Sequence, residues 1–240
     1  MLGQIPPTSF DLRFSVAGIP VRVHPVFWAT AAFLAWDGSD PPATFLGVLC
    51  VFLSILVHEL GHAGMTRCFG WDSEIVLGFF GGYATTVRES TARNIAVLIA
   101  GPGAGLLLAA TTFVVLLQVE GLSPRTVDAL RFLLFINLIW SLVNLLPVLP
   151  LDGGQLLREI LVWANRQRGQ QRAVVLSTVV AGVIAISGYL FGPRVGLDGT
   201  FLAILFGLLA YQNYATWQAL RGGGRPPRNM DLPPPPDRPF

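Results

Sequence analysis

The sequence is poor in charge. Asp, Glu, Lys and Arg make up only 12% of its 240 residues, about half the share usual in a soluble domain. The mean hydropathy is +0.59, so the missing charge is replaced by long apolar runs and the chain reads as an integral membrane protein. Lysine is absent: all sixteen basic residues are arginine, which fits a GC-rich genome. A net charge of +2 is too small to draw a nucleic-acid partner. There are two cysteines, Cys50 and Cys68. Placed on one continuous helix they are too far apart to pair, so no disulfide framework is expected. Residues 1–22 lack the short apolar core and small-residue cleavage site of a signal peptide, and none is expected to be removed. Histidine is scarce too, with three in the whole chain.

What is present is a succession of apolar segments. Residues 1–23 are mixed, and Phe14, Val16, Val21 and Val23 alternate around Gly18 and Pro20, which predicts a short hairpin leading to the membrane. The first apolar stretch, 25–36, is short for a span of about 20 residues. Further runs cover 43–65, 95–119, 132–149, 173–191 and 200–220. The expected fold is therefore an all-α polytopic membrane protein of about six transmembrane helices, with a membrane domain over 24–220. If the N-terminus lies inside, thirteen of the sixteen arginines fall on the same side and only Arg125, Arg131 and Arg194 on the other. That bias predicts both termini in the cytoplasm. The tail 221–240, rich in Gly and Pro, is expected to be solvated and disordered.

The run 43–65 is interrupted by His58, Glu59 and His62, its only ionisable groups besides Cys50. Positions i and i+4 share a helix face, so both imidazoles can point at one ion. Glu59 lies about 100° round the helix from His58, near enough to reach a water on that ion. This is the HExxH arrangement of two zinc ligands and a general base. An ionised carboxylate in a bilayer is costly, and such groups are rare there without a function. His24, beside Pro25, reads as an interfacial residue.

Two histidines leave a catalytic zinc site one ligand short. The fourth long run ends in NLLPVLPLDGG, residues 144–154, where Pro147 and Pro150 should break the helix. Non-helical backbone at membrane depth is tolerated only inside protein or along a wet cavity. Asp152 stands at this break and could be a zinc ligand, or could simply cap a helix beginning near Gln155. Asn144 is an amide that needs a partner and could serve only as glue between helices.

HELGH at 58–62 followed by NLLPVLPLDGG at 144–154 resembles the site-2 protease family of intramembrane zinc metalloproteases. The family pattern, HExxH on one core helix and NxxPxxxLDG on another, is matched at His58, Glu59, His62, Asn144, Pro147, Leu151, Asp152 and Gly153. The resemblance covers residues 43–160 directly and implies a three-helix catalytic core. It implies that Asp152 is the third ligand of a single Zn2+, that Glu59 activates the water, and that the site opens toward the cytoplasm. The loop 73–86, with Gly81 and Gly82, is similar to the family's membrane-associated β-hairpin, whose edge could pair with an unwound substrate. One departure is AGPGAG at 100–105. Gly105 stands where many members carry an asparagine, so the third segment is expected to pack closely through small residues. The match is to the compact form without a PDZ or CBS domain.

The function these features predict is intramembrane zinc-dependent proteolysis of single-span or other transmembrane proteins, in a prokaryotic cell membrane with lipid as the surrounding partner. Asn144, Gly81 and Gly82 are candidates for steadying substrate or oxyanion. The rival readings are an inactive homologue and a metal transporter. The latter should string several polar clusters along a path, and none is evident beyond Asp152.

Overall fold

The computed structural model describes residues 6–78, 81–84, 90–192 and 199–221. The tail from 222 onward and residues 79–80 and 85–86 of the predicted 73–86 hairpin lie outside the described residues. The chain divides into two compact units, one of residues 4–87 and 96–143, the other of residues 1–3, 88–95 and 144–240.

In the first unit, β1 (Leu12–Val16) and β2 (Ile19–Val23) form the predicted antiparallel hairpin. Its two turn residues, Ala17 and Gly18, have φ of 48° and 75°, as a two-residue turn matching the strand twist requires. A second hairpin joins β3 (Ile75–Gly78) to β4 (Gly81–Ala84), pairing Leu77 with Gly82 and Gly78 with Gly81. The two hairpins are not separate. β2 and β3 pair in parallel, Val21 with Ile75 and Val23 with Leu77, giving one four-stranded sheet in the order β1-β2-β3-β4. Ile19, Val21, Val23, Ile75 and Leu77 are buried against Phe27 and Ala31 of α1 (Pro25–Leu34) and Val51, Ile55 and Ala63 of α2 (Pro41–Cys68).

Both helices start at a proline preceded by a capping side chain. His24 Nδ1 accepts from the Val26 N–H at 3.2 Å, and Asp40 Oδ1 accepts from Ala43 N–H at 3.1 Å. Proline at the first helical position loses a hydrogen bond the helix cannot make there anyway. At its far end, α2 places Arg67 so that its guanidinium donates to the carbonyls of Ala17 and Gly18, at 3.3 and 2.7 Å. That contact ties the hairpin turn to the helix.

Helices α3 (Thr91–Gln118) and α4 (Pro124–Asn144) follow. A Cβ on Gly61 of α2 would overlap the Ala100 carbonyl of α3, and one on Gly105 would meet Ser141 Oγ of α4. The close packing expected of 100–105 is therefore present. Between α2 and α4, Ser54 Oγ donates to Asn137 Oδ1 at 3.1 Å, while Asn137 Nδ2 donates to the Leu133 carbonyl at 2.8 Å.

In the second unit, α4 gives way at Asn144 to non-helical backbone, and α5 (Asp152–Ala164), α6 (Gly169–Phe191) and α7 (Gly199–Arg221) follow, with α6 packed against both α5 and α7. The break comes earlier than the apolar run implied, because that run continued to Leu149 without regard to Pro147. A buried polar cluster links the start of α3 to α5: Asn94 Nδ2 donates to Glu159 Oε2 at 3.3 Å and Arg158 to Glu159 Oε1 at 3.1 Å. Two donor groups and two carboxylate oxygens meet there, so the buried charge is paired.

Among the described residues, α2, α3, α4 and α6 are long and apolar enough to cross a membrane. α1 has 10 residues, a rise of about 15 Å against a hydrocarbon core of about 30 Å. α7 has 23 residues, but its second half carries Tyr211, Gln212, Asn213, Tyr214 and Gln218. The protein is an integral membrane protein, mostly helical, with a small sheet. Four of the six expected segments meet the length and polarity a span needs.

Away from these helices, Asp11 is held ionised. Thr8 donates its hydroxyl at 2.6 Å and its amide at 3.0 Å, and Arg22 donates at 3.0 Å. The Thr8 hydroxyl bond foremost lowers the Asp11 pKa from 3.8 to about 2.

Candidate metal centre

The helical period alone puts His58, Glu59 and His62 on one turn of α2. All three are buried, at 3%, 4% and 7% exposure. The two Nε2 atoms lie 3.2 Å apart. Two ligands of a tetrahedral zinc, each at about 2.0–2.1 Å, stand about 3.3 Å from one another. The imidazoles thus already have the separation that a shared ion imposes.

The tautomer of His62 agrees. Its Nδ1 is 2.7 Å from the Val97 carbonyl of α3. A carbonyl only accepts, so Nδ1 carries a proton, and in the neutral ring Nε2 is left to present a lone pair. A backbone carbonyl behind a ligating imidazole is the usual way of fixing ring orientation and raising basicity. Gly101, one turn further along α3, completes the seat. A Cβ there would overlap Nε2, Cε1 and Cδ2 of His62. Only glycine lets α3 come this close to the ring. HELGH identifies the histidines, but neither Val97 nor Gly101 could be assigned these roles from the sequence.

Asp152 belongs to the second unit. It is half-buried, with Oδ2 shielded from solvent. It is the first residue of α5, and the N-cap position is Leu151. The alternative in which Asp152 caps a helix beginning near Gln155 therefore does not hold. A carboxylate in a first turn interacts favourably with the helix dipole. Gly153 and Gly154 make the tight turn possible: a Cβ on the first would overlap the Leu145 carbonyl, and on the second the backbone of Val148. Two imidazoles and one carboxylate make His58, His62 and Asp152 a donor set that could hold a metal ion, with the composition of a catalytic zinc site.

The other predicted residues are dispersed. Asn144 is the last residue of α4 and is half-buried. Gly81 and Gly82 lie in β4, at one edge of the sheet. His24 caps α1 and takes no part in the α2 cluster. Cys50 and Cys68 are free thiols, Cys50 donating toward the Ala129 carbonyl at 3.5 Å.

Comparison with known proteins agrees with this chemistry. Residues 122–188 match the model of Peptidase family M50. A Synechocystis relative, provisionally named a zinc metalloprotease, is 33% identical over 220 residues, which are 83% of this chain and 57% of that protein. A protein of Methanocaldococcus jannaschii named a zinc metalloprotease is 27% identical over 207 residues, 85% of this chain and 59% of its own length. The chain thus spans about half the length of the curated relatives it matches. Among solved structures, the fold is similar to that of the site-2 protease from Methanocaldococcus jannaschii. That similarity has a TM-score of 0.58 and 23% identity, and covers 85% of this chain and 94% of that one. The motifs, the match of residues 122–188 to Peptidase family M50 and the fold point the same way: the chain is similar to the site-2 proteases.

Proposed function

We propose that this protein is a zinc endopeptidase that hydrolyses peptide bonds of transmembrane proteins within or beside the bilayer. The observation that carries the reading is the His58–His62 pair, with ring nitrogens at zinc-ligand separation and Glu59 between them, buried on an apolar helix. His58, His62 and Asp152 would hold the ion. When bound, zinc lowers the pKa of water and polarises a carbonyl as a Lewis acid.

The remaining steps fall to side chains. Glu59 takes the proton of the attacking water and returns it to the leaving amine. Asn144 offers an amide N–H to the substrate carbonyl as charge develops on its oxygen. The apolar flanks of α2 keep bulk water from the carboxylate, so Glu59 works in a low-dielectric setting where its charge acts strongly. A helical substrate hides its carbonyls, so local unwinding must precede attack. An extended segment can pair with the edge strand β4 at Gly81 and Gly82, which themselves carry no side chain. The arginine distribution supports a cytoplasmic placement of both termini, and single-span proteins are the simplest substrates for such a site.

The test is cleavage of a single-span protein in proteoliposomes holding the purified chain. Stripping zinc with a chelator should abolish cleavage and adding zinc should restore it. Cleavage that persists at full rate in metal-stripped protein would refute the reading.

A further inference from the structure

Asp152 follows seven residues of non-helical backbone, 145–151. Inside a membrane protein such a stretch needs partners for its own N–H and C=O groups. At Leu149, which is 6% exposed, both backbone groups are satisfied by side chains from two different helices. The Leu149 N–H donates to Ser177 Oγ of α6 at 3.1 Å. The Leu149 carbonyl accepts from Asn213 Nδ2 of α7 at 2.7 Å. Ser177 and Asn213 are 0% and 1% exposed.

The Asn213 amide has one workable orientation. Its Nδ2 also donates to the Leu209 carbonyl at 2.9 Å, so turning the group over would set Oδ1 against two carbonyl oxygens. Kept this way round, Oδ1 is buried without a hydrogen-bond partner among the described residues. Among the described residues, then, one acceptor goes unsatisfied while the bond to Leu149 is kept.

There is little slack between this bracket and the carboxylate. Pro150 has a fixed φ. The Leu151 N–H bonds back to the Val148 carbonyl at 2.9 Å, and the Gln155 N–H to the Leu151 carbonyl at 2.9 Å. Gly153 and Gly154 pack on the backbone of Leu145 and Val148. A shift of the Leu149 peptide is therefore passed on to Asp152.

We propose that Ser177 and Asn213 are positioning residues: by gripping the two sides of the Leu149 peptide, they hold Asp152 in the place where it can ligate. The inference rests on Asp152 being a zinc ligand. It gives the last two helices, which carry no catalytic motif, a part in building the centre. Partners that orient a ligand typically change metal affinity by about 10–100-fold when removed.

The test is zinc affinity of the purified full chain, read by competition with a chromophoric chelator and independent of turnover. Asn213→Leu should weaken zinc binding by about 10–100-fold and Ser177→Ala by less, both with wild-type helicity. In an Asp152→Ala background neither should weaken it further, because they act through that carboxylate. If Asp152→Ala weakens binding but neither variant moves it by more than about twofold, the positioning role is refuted and Asp152 stands as a ligand. An equal loss in the Asp152→Ala background would mean general loosening and also refutes it. If Asp152→Ala binds zinc like wild type, the ligand assignment itself fails and the inference with it. Should Asn213→Leu not fold, Ser177→Ala decides alone, since it removes only a hydroxyl.

Discussion

The two regions that supply the candidate ligands are built on opposite principles. On α2, an unbroken 28-residue helix, the backbone satisfies itself, and the spacing of His58 and His62 follows from the turn of the helix. Around Asp152 the helix is broken by Pro147 and Pro150, and the backbone depends on side chains of α6 and α7 for its hydrogen bonds. One region is locally encoded and the other is held by distant residues. A ligand on a helix needs only its neighbours, whereas a ligand at a break needs the rest of its unit.

The strongest way to probe that contrast is to delete ligands on each side. His58→Ala and Asp152→Ala should both leave purified protein without stoichiometric zinc, as measured by elemental analysis, because a three-ligand site has none to spare. If either variant keeps a full equivalent, its residue leaves the ligand set.

Crowding each region is the next test. Gly101→Val would push a side chain into the His62 ring. Zinc affinity should fall by about 10–100-fold, as for loss of a ligand's orientation, while helicity stays unchanged. Gly153→Val would drive a side chain into the Leu145 carbonyl, and should cost about 1–3 kcal/mol or more in thermal unfolding, as overpacking does. The first variant should lose metal before stability and the second should lose stability as well. Two identical profiles would break the distinction between the regions.

The same contrast explains what could be read from the sequence. His58, Glu59 and His62 were legible because helix geometry relates residues four apart. The N-terminal hairpin was legible from alternation around Gly18 and Pro20, and the second through its resemblance to the family's β-hairpin. The parallel pairing of β2 with β3 was not, because α1 and α2 intervene and no local pattern specifies a non-local register. Ser177 and Asn213 lie 28 and 64 residues from Leu149 and look like ordinary polar residues in apolar helices. The 25–36 run promised a crossing that a 10-residue α1 is too short to make. Hydropathy reports what a segment is made of, and here Pro25 and the turn after Leu34 fix its length.

The smallest effect concerns the N-terminal hairpin. Asp11 has a folded pKa of about 2 against an ordinary 3.8. Its contribution to stability is therefore complete above about pH 4 and is lost as pH falls toward 2. Amide exchange of β1 and β2 should speed up across that window in wild type, and Asp11→Asn should remove the change. An Asp11→Asn protein with the wild-type profile would refute the linkage.

The central claim is best tested with Glu59→Gln, an isosteric change that removes the base and leaves the three ligands untouched. Zinc content and cleavage of a co-expressed single-span substrate should be measured on the same preparations. Zinc should stay at one equivalent while cleavage drops by about 10²–10⁴-fold, the usual share of a general base. Cleavage equal to wild type would contradict the account, because the carboxylate between the two histidines would then have no part in the chemistry.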